Sequence, residues 1–135
     1  MRIVLISCVS MKKKYPVKAK DMYISPLFKG AYRYAKKLNA DKIYILSAKY
    51  GLLSEETIIQ PYNETLNTKP NQEICAWAKQ VYDNLCAVSD PEHDEFIFLA
   101  GEKYRKHLVG YLKNVKMPLR GLSIGKQLAF YKENT

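Results

Sequence analysis

The sequence predicts an α/β domain, a small three-layer sandwich around a three- or four-stranded, mainly parallel sheet. Three observations carry that prediction. Short apolar runs rich in β-branched and aromatic residues recur at Arg2–Cys8, Ile43–Leu46 and Glu95–Ala100, the mark of strands buried on both faces. Each run is followed, sooner or later, by a segment with apolar residues at helical spacing. The chain has 135 residues, enough for one domain, 1–135, with a core that needs no staples. Strands alternating with helices imply parallel pairing, right-handed crossovers and helices on both faces.

The elements follow in order. After the first strand, Val9 to Ile24 reads as a long loop bearing Lys12, Lys13, Lys14, Lys18 and Lys20. Loops of that length are usually functional or mobile. Ser25-Pro26 gives an N-cap and a proline at the first helical position. Leu27, Phe28, Ala31, Tyr34, Ala35 and Leu38 then mark the buried face of a helix ended by Asn39-Ala40-Asp41. The second strand opens IYILSAKYGLLSEETIIQPYNETL, residues 43–66. It passes through Ser47-Ala48 into Lys49, Tyr50 and Gly51, then an exposed-looking Gln60-Pro61-Tyr62-Asn63. Glu55 and Glu56 fit either a surface turn or the first turn of a short helix.

A helix starts near Pro70, with Ile74, Trp77, Ala78, Val81 and Leu85 as its stripe and Trp77 as a core residue. Ser89 to Asp94 is a turn before the third strand, which Gly101 closes. Glu102 opens a helix with Tyr104, Leu108, Tyr111 and Leu112 on one face and His107 beside them. Val115 to Leu119 suits a short edge strand because Pro118 cannot donate to a ladder. Leu122 to Tyr131 is a final short helix.

Composition bounds the function. No apolar run is long enough to span a bilayer, and the N-terminal apolar segment reads as a strand and not as a signal peptide. Cys8, Cys75 and Cys86 have no paired spacing; on one helix, Cys75 and Cys86 would lie about 16 Å apart along the axis, too far for a disulfide. Buried free thiols in a reducing cytoplasm are the simplest reading, and two histidines give no zinc spacing. No cofactor is expected. The net charge of +9 is uneven: Lys and Arg outnumber Asp and Glu by 12 to 2 in residues 1–50. The ratio is 2 to 9 in 51–100 and 8 to 2 in 101–135. Such a field suits polyanions such as nucleic acid, although a solvated lysine-rich surface has the same composition.

In a parallel sheet the strand ends at Ser7-Cys8, Ser47–Tyr50 and Ala100-Gly101 emerge on one edge, where ligands bind in open α/β folds. The lysine loop, the Gln60–Asn63 tetrapeptide and the Gly101 turn are expected to surround one crevice there. Tyr50 and Tyr62 offer flat faces, and Ser47, Gln60 and Asn63 offer donors and acceptors, a combination that holds planar heterocycles. Lys12, Lys13 and Arg105 would hold phosphate, helped by the Glu102 amide beyond Gly101. Ser7, Cys8 and Tyr104 complete the expected binding set. Reaction chemistry has fewer candidates. Asp21 can activate water or steady a sugar cation if an N-glycosidic bond is cut, with Ser47 and Tyr50 as the other candidate catalytic residues.

The segments VLISC, ILSAKYGLL followed by IIQPYNETL, and FLAGEKYRKHL are similar to those of the YaaA-like superfamily of peroxide-stress proteins. A shorter group of that superfamily is closer still, matching SCVSMKKKYPVKAKDMYISPLF and the PLRGLSIGKQL ending as well. The resemblance covers nearly the whole chain. It implies a YaaA-like α/β domain, DNA binding, and a distant kinship with folds of the uracil-DNA glycosylase kind. The reading of residues and resemblance together is a binder of nucleobase, nucleotide or nucleic acid, with glycosylase-like base removal as its sharper form. Two other readings stand beside it: a non-catalytic DNA-binding stress or phage-defence protein, and a small inhibitor or immunity protein whose partner is another protein.

Overall fold

The computed structural model describes residues 1–7 and 11–135. Cys8 therefore lies outside the described residues. The chain folds as an α/β sandwich around a five-stranded, mostly parallel sheet. In chain order the elements are β1 (Arg2–Ser7), β2 (Val17–Lys18), α1 (Ala19–Met22), α2 (Pro26–Lys37), β3 (Lys42–Ser47), β4 (Gly51–Ser54) and β5 (Ile58–Ile59). Then come α3 (Asn71–Val88), β6 (Glu95–Leu99), α4 (Glu102–Arg105), β7 (Asn114–Lys116) and α5 (Ile124–Asn134). The main sheet runs β4-β3-β1-β6-β7, with β4 alone antiparallel to its neighbour.

Alternation along β1 builds two cores. Val4 and Ile6 join Phe28, Ala31 and Ala35 of α2 and Tyr131 of α5 on one face. Ile3 and Leu5 join Ile74, Ala78, Val81 and Leu85 of α3 on the other. All of these side chains are buried, so β1 is a continuous apolar run because both its faces are covered. The expected Ser25 cap is present: its Oγ accepts from Phe28 N at 3.2 Å, with Pro26 opening α2. Close packing of α2 on α5 depends on Gly30, whose missing Cβ would fall 2.9 Å from Tyr131 Cδ2.

Several sequence expectations are corrected. The sheet has a fifth strand because β3 and β4 form a hairpin with Ser47 opposite Gly51. Gly51 adopts φ +72, the left-handed residue that closes a three-residue hairpin loop. Glu55 and Glu56 consequently sit in the turn after β4 and not in a helix. The lysine loop carries structure of its own. β2 pairs with β5, and Lys13 N and Ile24 N donate to Met22 O and Met11 O at 2.9 Å each. The helix expected after Gly101 is a single turn, α4, followed by a 3-10 turn at Val109–Tyr111. Cys86 is exposed and Cys75 half-buried, so neither is the buried thiol expected. Trp77 is only half-buried; its Nε1 donates to Ser47 O at 2.8 Å and fastens α3 to the end of β3. Among the described residues, no helix is long and apolar enough to cross a membrane.

Candidate functional site

The connection from β1 crosses by α2 to β3 on one side; the chain then returns by α3 to β6 on the other side of β1. Connections that leave β1 and β6 in opposite directions open a gap at their C-terminal ends, the position where open α/β sheets bind ligands. A hollow of about 200 Å³ occupies that gap. Ser7, Leu99 and Gly101 come to it from the strand ends, Leu27 from α2, and Gln127 and Tyr131 from α5. Asn67 and Tyr104 complete its rim.

The hollow is held open by specific contacts. Gly101 N donates to Ser7 Oγ at 3.0 Å, tying the two strand ends across the gap. Tyr104 is buried; its hydroxyl accepts from Leu66 N at 3.3 Å, and its ring meets Trp77 edge to face at 5.6 Å. Gln127 Nε2 donates to Leu122 O at 3.0 Å. Burial pushes the Tyr131 phenol far above its ordinary pKa, so it stays protonated at any physiological pH.

A second hollow of about 410 Å³ lies between the start of the lysine segment and the QPYN tetrapeptide, lined by Met11, Lys12, Lys13, Lys14, Tyr62 and Asn63. Lys12 Nζ stands 4.7 Å from the Tyr62 ring centroid and 6.0 Å from that of Tyr23. Tyr62 is buried, in edge-to-face contact with Tyr50 (5.6 Å), and its hydroxyl is 2.5 Å from that of Tyr23. The QPYN element is thus not a displayed tetrapeptide: Gln60 and Asn63 are exposed, but Tyr62 is part of the core and Lys12 covers its face. A third hollow, also about 410 Å³, opens against α1 and α2, and Lys13 lines it as well.

The expected residues therefore divide. Ser7, Gly101 and Tyr104 meet at the switch-point hollow. Lys12, Lys13, Tyr62 and Asn63 meet at the lysine hollow, with no residue common to the first. The single crevice expected from the sequence is two hollows. Asp21 lines the third, exposed on α1 and away from Ser7 and Gly101. Ser47 is buried, and its Oγ accepts from Lys49 N (3.2 Å) and Tyr50 N (3.0 Å), a hairpin-capping role. The Tyr50 hydroxyl accepts from Gln60 N at 3.2 Å and so fixes the tetrapeptide to the hairpin. Gln60 and Tyr50 line none of the three hollows. Arg105 points its Nη1 at Met117 Sδ, 3.9 Å away, and also lines none of them. His107 lies in the turn after α4 and not in a helix, and its Nε2 is 2.8 Å from Asn71 Oδ1.

Sequence reasoning missed Asn67, Gln127 and Tyr131. The last two were readable as the last helix, but their arrival at the mouth of β1 follows from α5 packing on α2, which no local pattern announces.

Comparison with known proteins finds similarity along most of the chain. A Bacillus subtilis (strain 168) protein, "Uncharacterized protein YfjM", is 33% identical over 108 residues, which make up 77% of this chain and 70% of that protein. The pattern of a family described as a family of unknown function, DUF6884, matches residues 3–133, from the first buried residue of β1 to the last turn of α5. With the switch-point hollow and both cores inside that span, the chain belongs to the DUF6884 family.

Proposed function

We propose that this domain binds a nucleobase or nucleotide at the C-terminal edge of its sheet, with the ring in the switch-point hollow and phosphate toward Lys12–Lys14. The observation that carries this reading is the make-up of that hollow. Leu27, Leu99 and Tyr131 give it apolar walls, and Asn67 and Gln127 give it amides. The Asn67 side chain and Gln127 Oε1 have no protein partner among the described residues. Flat walls with a few placed donors and acceptors are how proteins take a planar polar ring. At about 200 Å³ it falls below the range of roughly 300–1,000 Å³ typical of whole-ligand pockets. It therefore takes a ring, leaving sugar and phosphate outside. The likeness of the SAKYGLL and QPY segments to YaaA-like proteins fits this reading, and a reducing cytoplasm suits the free thiols Cys75 and Cys86.

Binding without chemistry is the form the geometry supports better. Among the described residues, no Asp, Glu or His lines the switch-point hollow, and Asp21 belongs to another. Base removal would have to recruit a carboxylate from outside the hollow. The test is calorimetric titration with nucleobases, nucleosides and mononucleotides at low salt, repeated on Asn67→Ala/Gln127→Ala. We expect at least one ligand to saturate the protein and to lose about tenfold in affinity in the double variant, the loss of roughly one to two hydrogen bonds. If no base, nucleoside or nucleotide binds even at millimolar concentration, the proposal is wrong. Free base released from a bound nucleoside would restore the hydrolase reading.

A further inference from the structure

The third hollow, against α1 and α2, has no part in the reading above and is built unlike the first. Its floor is Tyr23, Ile24 and Phe28, and its rim carries Lys13, Lys20, Lys29 and Arg33, with Asp21 as the one carboxylate. Helix α2 (PLFKGAYRYAKK) has four basic residues and no acidic one. Among the described residues, only Lys36 of these four has a carboxylate within ion-pair range, Glu55 at 3.7 Å. Lys29 and Arg33 stand one turn apart, about 6 Å along the axis, where like charges repel. On the rim, Lys20 pairs with Glu56 at 2.9 Å, and among the described residues no carboxylate pairs with Lys13, Lys29 or Arg33. The Asp21 charge offsets part of this field and leaves the rim cationic.

Lys13 also lines the lysine hollow, with Lys12 and Lys14. The cations therefore form one path, from Lys14 and Lys12 through Lys13 to Lys29 and Arg33, longer than one nucleotide's phosphate needs. We infer that this path is a binding track for single-stranded nucleic acid, with successive phosphates on Lys12–Lys14 and on Lys29 and Arg33 and one unpaired base in the hollow over Ile24 and Phe28. A hollow of about 410 Å³ with an apolar floor has room for a base, and Ile24 is 36% exposed at its surface. A single strand has bases to place there; a duplex keeps them stacked inside. A peptide of Asp and Glu alone would match the rim but has no ring for the floor. The inference rests on the proposed reading for its ligand class, but it names a different site.

The test is fluorescence anisotropy with a labelled oligothymidylate of about twelve nucleotides, within the span such tracks cover, alongside calorimetry with thymidine monophosphate. The charge-reversed Lys29→Glu/Arg33→Glu should weaken the oligonucleotide at least tenfold at low salt. Its slope of log affinity against log salt should become shallower by about 1.4, the value for two phosphate contacts on a single strand. Asp21→Asn should tighten the oligonucleotide, and mononucleotide binding should not change in either variant. Duplex of the same length and polyglutamate should compete poorly. Oligonucleotide binding that depends on Lys29 and Arg33 without any mononucleotide binding would keep this inference and remove the switch-point reading. Mononucleotide binding with oligonucleotide affinity unchanged in Lys29→Glu/Arg33→Glu would do the reverse. No oligonucleotide binding, or equal competition by polyglutamate, overturns the inference.

Discussion

Tyr23 and Tyr62 share a buried hydrogen bond between their hydroxyls at 2.5 Å, joining two loops 39 residues apart in sequence. Tyr23 follows α1 and Tyr62 belongs to the QPYN element, so the bond fixes the lysine segment against the chain that leaves β5. Phe28 packs on the Tyr23 ring at 5.1 Å and Tyr50 on the Tyr62 ring at 5.6 Å, which continues the contact into a row of four rings. We predict that Tyr23→Phe and Tyr62→Phe each cost about 1 kcal/mol, and that the double variant costs clearly less than their sum. A double-mutant cycle in urea measures this. Strict additivity would show that the two hydroxyls do not stabilise one another.

The same pair shows where the sequence stops being informative. β1, α2, β3, α3 and β6 were legible because each is a long periodic run with a recognisable start or stop, such as Ser25-Pro26. β4 escaped notice because four residues, GLLS, carry little period, although the left-handed Gly51 four residues after Ser47 was a usable hairpin signal. The meeting of Ser7, Gly101 and Tyr104 follows from strand ends in a parallel sheet, and periodicity predicts that much. The burial of Tyr62 does not follow from QPYN itself. It depends on Tyr23, Tyr50 and Lys12, which come from other segments of the chain.

Gly30 should not tolerate a methyl group. Its Cβ would lie 2.9, 3.0 and 3.1 Å from Cδ2, Cβ and Cγ of Tyr131, the root of a buried ring that cannot swing away. Alanine gains about 1 kcal/mol of helix propensity over glycine, and overpacking costs about 1–3 kcal/mol. We predict a net loss of up to about 2 kcal/mol for Gly30→Ala, read from urea unfolding with an unchanged m-value. Gly125→Ala meets nothing within 4 Å and should be neutral or stabilising. Equal effects from the two would mean that the contact between α2 and α5 yields easily.

Glu56 binds Lys18 at 2.8 Å and Lys20 at 2.9 Å, and these two lysines hold its pKa down to about 2 from an ordinary 4.5. A carboxylate whose pKa falls on folding stabilises the fold above its unfolded value, and that contribution disappears as pH drops through the folded value. Acidification from about 4.5 to about 2 should therefore loosen β2 and α1 from the turn after β4. Protection against amide exchange at Ala19 and Lys20, which donate to Thr57 O and Glu55 O, should fall in that window once rates are corrected for intrinsic exchange at each pH. The ion pairs are exposed, so salt should raise the Glu56 midpoint toward 4.5. A carbon NMR titration giving 4.5 already at low salt would contradict the pairing.

Gly101 separates a role in binding from a role in folding. Its φ of −63 and ψ of 159 suit any residue, and a Cβ there would make only an ordinary 3.9 Å contact with Tyr104 Cδ2. Gly101→Val should thus change stability by no more than about 0.5 kcal/mol, as exposed substitutions away from special geometry usually do. It keeps the backbone N–H that donates to Ser7 Oγ, so the strand ends stay tied. Yet the new side chain stands on the rim of a hollow of only about 200 Å³, beside Tyr104 and Ala100. We predict that nucleobase or nucleotide affinity falls at least tenfold while the melting temperature holds. Ser7→Ala, which removes the acceptor of that bond, should lower both. If Gly101→Val binds as the parent does, the ligand sits elsewhere on the sheet edge, and the gap between β1 and β6 is only a seam in the packing.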